Sequence, residues 1–327
     1  MATIAVIGAG LAGLVVSHEL ARVHDVVVFE KSRGVGGRMA TRRAGSFEFD
    51  HGAQFFTARS AAFRAFLEPL IEAGVVTNWP ARFAELRRDE IIAIWQWGEE
   101  HPHYVGVPAM NAIGKALASG LDIRLDTAVR SLTRSGERWV LVGDGQERLG
   151  EFDWVIVTTP ASQAADLLAT TSIASAAAKA RMDACYALLL GFDDPPDLSW
   201  QAALVRDADI SWISVNSSKP GRQANSSLVV HSTNAWANAH VDDDTETVRR
   251  HLLDECREVT GIDMTGAAFV DVHRWRYANV DRKEGDLFAL DAEQRLAACG
   301  DWFIRGRIEG AFSSALALAG KIGREIT

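Results

Sequence analysis

Cysteine is scarce in this chain: Cys185, Cys256 and Cys299 are the only three in 327 residues, and none forms a CxxC pair. That spacing excludes a disulfide framework and a cysteine-based zinc site, and it fits a reducing compartment. No stretch approaches the ~20 apolar residues of a membrane span. The apolar start, residues 4–7, is interrupted by Gly8, Gly10 and Gly13 with no basic segment ahead of it, so no secretory signal is expected. Positive charge is in deficit, with 34 Lys plus Arg against 43 Asp plus Glu and a formal net charge of −9. Nucleic acid as the main partner is thereby disfavoured, because phosphate neutralisation needs a basic footprint. A Ser-His-Asp nucleophile pattern, an HExxH metal pattern, a P-loop, internal repeats and low-complexity tracts are also missing. These absences predict a soluble, cytoplasmic protein without a structural metal.

What is present begins with a turn. Residues 3–7 form a continuous apolar run, as in a parallel strand covered on both faces. Gly8, Gly10 and Gly13 follow, then helical spacing (Leu14, Val15, His18, Leu20), then a second β-branched run, 26–29, ending at Glu30. Strand, glycine turn, helix and strand in this order make a βαβ unit. In such a turn the first glycine allows the tight bend, the second admits a pyrophosphate and the third lets the helix sit close to the sheet. The N–H groups that open the helix, at Leu11, Ala12 and Gly13, then face the anion with about half a unit of positive charge behind them. Glu30 stands where a carboxylate can bind ribose hydroxyls. The motif predicts a dinucleotide site and leaves NAD and FAD both open.

Further along, spacing predicts helices over 60–76, 109–119, 244–259 and 309–325, the third capped by the acidic run 242–244. Strands are expected within 82–97, 121–142, 154–160, 185–192, 227–233 and 295–299. With 48% hydrophobic residues the chain can bury a large core. We expect an α/β fold in which residues 1–62, 101–162 and 267–327 form a discontinuous Rossmann-type domain. Residues 63–100 and 163–266 form an inserted α+β substrate domain.

The loop after Glu30 narrows the reading. Lys31-Ser32-Arg33-Gly34-Val35-Gly36-Gly37-Arg38-Met39, then Asp50-His51-Gly52-Ala53-Gln54-Phe55, and Gly300-Asp301 with Arg307-Ile308-Glu309-Gly310-Ala311, resemble the amine-oxidase-like flavoproteins. Together with Ser218-Lys219-Pro220-Gly221-Arg222 and His273-Arg274-Trp275-Arg276-Tyr277-Ala278 they are similar to the bacterial renalase family, from residue 3 to about 325. The resemblance implies bound FAD, with both ends of the chain converging on it. It places cofactor contacts at Gly8, Gly10, Leu11, Ala12, Gly13, Glu30, Lys31, Gly37, Arg38, Met39, His51, Gly52, Ala53, Gln54, Val129, Thr159, Pro160, Gly300, Asp301, Arg307, Glu309 and Ala311. Arg38 is suited to a phosphate, Asp301 to the ribitol, and the helix opening at Glu309 to the pyrimidine edge of the flavin. Phe55 departs from the family's Tyr, and Phe303-Ile304 from a smaller pair. Nothing favours covalent attachment, so non-covalent FAD is expected.

On the substrate side, six of ten tryptophans (Trp79, Trp95, Trp97, Trp200, Trp212, Trp236) fall in the inserted unit. An aromatic wall suits a flat nicotinamide-like ring, although for most of them sheet packing onto a helix is the better reading. Phe55, His231, Trp275 and Tyr277 are the candidate substrate-positioning residues; a core role for His231 stays open. Lys219 and Arg222 flank the Pro220-Gly221 turn; a solvated turn is the default reading, and contact with a substrate phosphate is the alternative.

The resemblance implies an oxidase that converts the 2- and 6-dihydro isomers of NAD(P)H to NAD(P)+, with dioxygen as final acceptor and hydrogen peroxide as product. Hydride transfer needs positioning rather than a protein acid or base, and positioning is worth roughly 7–11 kcal/mol. A flavin amine oxidase is the alternative. None of the six lysines sits in an apolar strand of the inserted unit, and Lys283 lies in a polar stretch, which counts against it. A non-catalytic flavin or dinucleotide sensor is the third reading.

Overall fold

The computed structural model describes residues 1–223, 225–281 and 285–325. The chain divides into two compact units, Met1–Arg38, Gly114–Met182 and Asn279–Thr327 in one, and Met39–Ile113 and Asp183–Ala278 in the other.

The first unit is built on a six-stranded sheet in the order Phe288–Asp291, Leu296–Cys299, Trp154–Val157, Thr3–Ile7, Asp25–Phe29, Asp122–Arg124. The expected βαβ unit forms, with Thr3–Ile7 parallel to Asp25–Phe29 and to Trp154–Val157. Central placement follows from composition: Ile4, Val6, Val155 and Ile156 are fully buried, each at roughly 1.5–3 kcal/mol of transfer free energy. Ala5, Ile7, Val155 and Val157, which share one face by the two-residue period, pack with Trp139, Leu141 and Phe152 of a three-stranded antiparallel sheet. The helices Leu11–Leu20 and Ile308–Glu325 pack against each other. The first of these is buried from Leu11 through Ser17 and at Leu20, consistent with its nearly uniform apolar character.

The second unit carries a seven-stranded sheet, ordered Phe269–Asn279, Asp183–Phe192, Ser226–Ser232, Ile210–Val215, Ala202–Arg206, Arg82–Arg87, Glu90–Gln96. Alternation along Asp183–Phe192 serves two cores. Tyr186, Leu188 and Leu190 pack with the helix Thr245–Thr260 through Val248, Leu252 and Cys256, while Ala187 and Leu189 pack with Phe47 and Phe49. That helix starts where the acidic run places it, with the Asp244 side chain accepting from the Thr247 N–H, and stops at Gly261 with φ +68°.

The unit boundaries differ from those read in the sequence. Residues 39–62, 101–113 and 267–278 belong to the second unit, and 163–182 to the first. Sheet membership decides this: Phe269–Asn279 neighbours Asp183–Phe192, Tyr104–Gly106 pairs with Val76–Asn78, and Ala161, Ala164 and Leu168 sit in the first unit's core. Local periodicity carries no information about which sheet a strand joins. Among the described residues no helix is long and apolar enough to cross a membrane.

Candidate functional site

In the first unit the glycine turn forms as expected. Gly8 adopts φ +111° and donates its N–H to the Phe29 carbonyl at 2.8 Å. A Cβ on Gly13 would stand 1.9 Å from the Gly8 carbonyl oxygen, so only glycine lets the helix approach so closely. Gly10 is different: a Cβ there would meet nothing within 4 Å. It caps the helix Leu11–Leu20 without a side-chain hydrogen bond, and the first turn holds no acidic residue. The N–H groups of Leu11, Ala12 and Gly13 meet no side-chain cap and have the helix dipole behind them, the features an anion cradle requires.

Glu30 is buried. Its carboxylate accepts from the Ala9 N–H and the Ser32 N–H, both at 2.8 Å, which fixes it beside the cradle with further acceptor capacity on each oxygen. The loop that follows closes over the turn. The Gly36 N–H donates to the Ala9 carbonyl at 2.8 Å, and a Cβ on Gly37 would lie 3.3 Å from the Gly10 Cα. Lys31 is exposed. Arg38 forks onto Asp301, with 2.8 and 2.6 Å to its two oxygens, so the guanidinium is held by the closing motif. Asp301 is buried, and the pair ties residues 263 positions apart in sequence.

Around this pair, the Gly300 N–H donates to Ser314 Oγ at 2.9 Å and Trp302 Nε1 donates to the Thr159 carbonyl at 3.1 Å. Thr159 Oγ1 is buried without a partner, immediately before Pro160, which caps the helix Ala161–Leu168. Val129 is buried in the first unit's core. The closing helix begins at Ile308, so Glu309 lies in its first turn; Arg307, exposed, precedes it, and Ala311 is buried one turn in.

Residues 84–322 match the sequence profile described as flavin containing amine oxidoreductase, and residues 6–70 match the NAD(P)-binding Rossmann-like domain. The chain belongs to the flavin-containing amine oxidoreductase family. Among solved structures it is similar to one provisionally assigned as a protoporphyrinogen oxidase from Exiguobacterium sp. 255-15, with a TM-score of 0.79 and 13% identity over 99% of this chain and 98% of that one. It is also similar to wild-type putrescine oxidase bound to putrescine, at TM-score 0.70 and 13% identity over 98% of each chain. At such identity these likenesses speak to the fold alone. As in its family, the cofactor of this flavoprotein is FAD. The residues fit it: an uncapped helix start, open space at Gly10, a buried acid at Glu30 and an unpartnered Thr159 hydroxyl.

The second unit of this amine oxidoreductase holds a charged cluster that sequence reading missed. Asp50 is fully buried and accepts from Thr41 Oγ1 at 2.7 Å, from the Met110 N–H at 2.9 Å and from Arg222 Nε at 3.2 Å. Lys219 Nζ lies 3.5 Å from the same carboxylate and donates to Asn216 Oδ1 at 2.9 Å and Gln54 Oε1 at 3.1 Å. Against the default reading of a solvated turn, the Lys219 and Arg222 side chains are 0% and 1% exposed. The turn folds inward because Gly221, at φ +77°, brings its Cα where a Cβ would strike Val107 at 2.7 Å. Burial alone would push the Asp50 carboxyl up, but Lys219 and Arg222 outweigh it and hold the pKa down. Burial pulls the Lys219 ammonium down to about 8 against the pull of Asp50. In sequence Asp50 and the pair Lys219 and Arg222 stand in two separate motifs, and nothing in the linear pattern joins them.

Gln54 joins this cluster to the histidines. Its Oε1 also accepts from Ser214 Oγ at 2.8 Å, and its Nε2 donates to the Gly52 carbonyl at 3.0 Å and lies 3.4 Å from His231 Nε2. Trp275 Nε1 donates to the His51 carbonyl at 2.8 Å, and its ring stacks on the His51 ring at 5.2 Å. Burial brings the His51 pKa to about 4, helped by His273, and that of His231 to about 4, helped by Lys219. Both rings are neutral at physiological pH. Gly52, Ala53 and Tyr277 are half-buried, and Met39 is buried.

Phe55 sits in an aromatic group, 4.9 Å from Trp97, 5.0 Å from His103 and 5.4 Å from Trp212 by ring centroids. Trp97 stacks on His103 at 3.7 Å and meets Trp79 edge-on at 5.5 Å. Three ring nitrogens of this group, Trp79 Nε1, His103 Nδ1 and Trp212 Nε1, are buried without a hydrogen-bond partner. Of the six tryptophans of the inserted unit, Trp200 lies in the core under the sheet and Trp236 packs against it, as sheet packing implies.

Proposed function

We propose that this flavoprotein oxidises dihydronicotinamide dinucleotides of the 2- and 6-dihydro type to NAD(P)+, as its likeness to the renalase family implies. When bound, FAD supplies the two-electron acceptor, and dioxygen takes the pair onward to hydrogen peroxide. The chain's own part is to bind and orient. The turn at Gly8, Gly10 and Gly13 with Glu30 and Asp301 would hold the cofactor. Phe55, His231, Trp275 and Tyr277 are the residues proposed to position a flat substrate ring. His51 and His231 stay neutral and need not move a proton, as a hydride transfer requires.

The observation that carries this reading is the enclosure of Lys219. Flavin amine oxidases usually place a lysine near the flavin N5 through a water, whereas Lys219 directs its protons to Asn216, Gln54 and Asp50. Lys31, Lys115 and Lys179 are exposed, Lys321 pairs with Glu325, and Lys283 lies outside the described residues. The test is anaerobic bleaching of the bound flavin. Mixtures of reduced nicotinamide dinucleotide isomers should bleach it within the mixing time, whereas putrescine and benzylamine should leave it yellow. Bleaching by the amines alone would transfer the assignment to amine oxidation; bleaching by neither would favour a sensor.

A further inference from the structure

The helix Thr245–Thr260 buries Val248, Leu252, Cys256 and Val259, and beside that stripe stand His251 and Glu255, one turn apart on the same face. Asp209, just before the strand Ile210–Val215, meets them from the sheet. Each of the three side chains offers one ligand atom, and these atoms lie within 4.8 Å of one another. His251 Nε2 is 2.9 Å from Asp209 Oδ2, and the two side chains are 36% and 42% exposed, so an ion can enter from solvent.

The surroundings hold the three in place. The Asp209 carbonyl accepts from the Thr233 N–H at 2.7 Å, and the Asp209 N–H donates to Glu255 Oε2 at 2.8 Å. The His251 ring lies flat on Trp236, 4.7 Å away at an interplanar angle of 6°. Charge is left unbalanced: two carboxylates share one imidazole, and among the described residues neither pairs with a lysine or arginine. The net charge of −9 adds to the attraction for a cation.

The donor set selects which cation. One imidazole nitrogen with two carboxylate oxygens suits zinc, whereas calcium and magnesium prefer larger, all-oxygen shells. Zinc stands about 2.0–2.2 Å from such ligands, and a tetrahedral shell then spaces them ~3.3 Å apart. The His251–Asp209 pair at 2.9 Å has only to open slightly. No cysteine or HExxH spacing announces the site, because Asp209 stands 42 residues before His251.

We propose that Asp209, His251 and Glu255 bind one exchangeable zinc ion, with the imidazole neutral, its proton on Nδ1 and Nε2 as ligand. Calorimetric titration of the chelator-stripped, flavin-loaded protein with zinc should give one saturable site per chain, and zinc should raise its melting temperature. His251→Gln, Asp209→Asn and Glu255→Gln should each weaken that binding by at least about tenfold, the least that loss of a supporting residue alone produces. His240→Gln, whose ring lies 4.6 Å from Trp236, should bind zinc like the parent. A second probe leaves the ligands intact. One equivalent of copper(II), which takes the same donors more tightly, should quench the parent's tryptophan emission more than that of Trp236→Phe. No saturable site, zinc binding that survives any one of the three changes, displacement of zinc by equimolar magnesium, or equal quenching in Trp236→Phe would each overturn the proposal. None of these readouts depends on which substrate the flavin oxidises.

Discussion

Gly10 and Gly13 look alike in sequence, and the structure gives them opposite reasons for being glycine. Gly10 has φ −72° and ψ 178°, a conformation open to any residue, and a Cβ there meets nothing within 4 Å. Gly10→Ala should therefore leave the apoprotein as stable as the parent, or more stable by about 0.4–1 kcal/mol through the unfolded chain. Its methyl would project into the space proposed for the pyrophosphate. Displacing two charge-assisted hydrogen bonds at about 1.5–3 kcal/mol each weakens FAD binding by about 10² to 10⁴.

Gly13→Ala meets backbone instead. Its Cβ would lie 1.9 Å from Gly8 O and 2.8 Å from Thr158 Oγ1, where real contacts begin at 3.0 Å. The helix must withdraw by more than an ångström, and the cost lies at or above the upper end of the ~1–3 kcal/mol seen for overpacked cores. Deflavinated protein allows both quantities to be measured: FAD affinity from quenching of flavin fluorescence, and stability from thermal unfolding. If Gly10→Ala binds FAD like the parent, or Gly13→Ala melts like it, the account of the cradle is wrong.

Other expectations follow from buried groups. Glu30→Ala strands the Ala9 and Ser32 N–H groups, so flavin content after purification should fall and the apoprotein should lose ~1–3 kcal/mol; full flavin occupancy would contradict this. Asp50→Ala leaves Lys219 and Arg222 without their carboxylate and should cost about 3–5 kcal/mol, read as a lower urea midpoint. An unchanged midpoint would mean that the cluster is not electrostatically coupled. His51 and His231 titrate near 4 when folded and near 6.5 when unfolded, so below 6.5 the unfolded chain takes up protons that the native state refuses. Stability is then lost as pH falls from 6.5 through about 4, by up to about 3 kcal/mol for each ring. His51→Gln should flatten the urea midpoint against pH over that window, and an identical slope would refute the assignment.

Sequence by itself determined the first unit's centre. The apolar run 3–7, the three spaced glycines, the helical spacing after them and Glu30 at the end of the next run are each ambiguous alone, and in register they specify one βαβ turn that brings helix, sheet and anion together. Those are local facts, because strand, turn and helix are neighbours along the chain. Asp244 as a helix cap was legible for the same reason. The tertiary structure alone decided the rest. Lys219 and Arg222 read as a solvated turn, since nothing nearby in sequence announces Asp50, 169 and 172 residues earlier. The fork of Arg38 onto Asp301 is likewise invisible in the linear pattern, because 263 residues separate the two. Residues 39–62 and 267–278 read as part of the nucleotide unit, because a strand's propensity does not say which sheet will take it. Pairing across such distances is set by burial and charge compensation in the folded core, where an unpaired ion costs several kcal/mol; the linear pattern holds no trace of that cost.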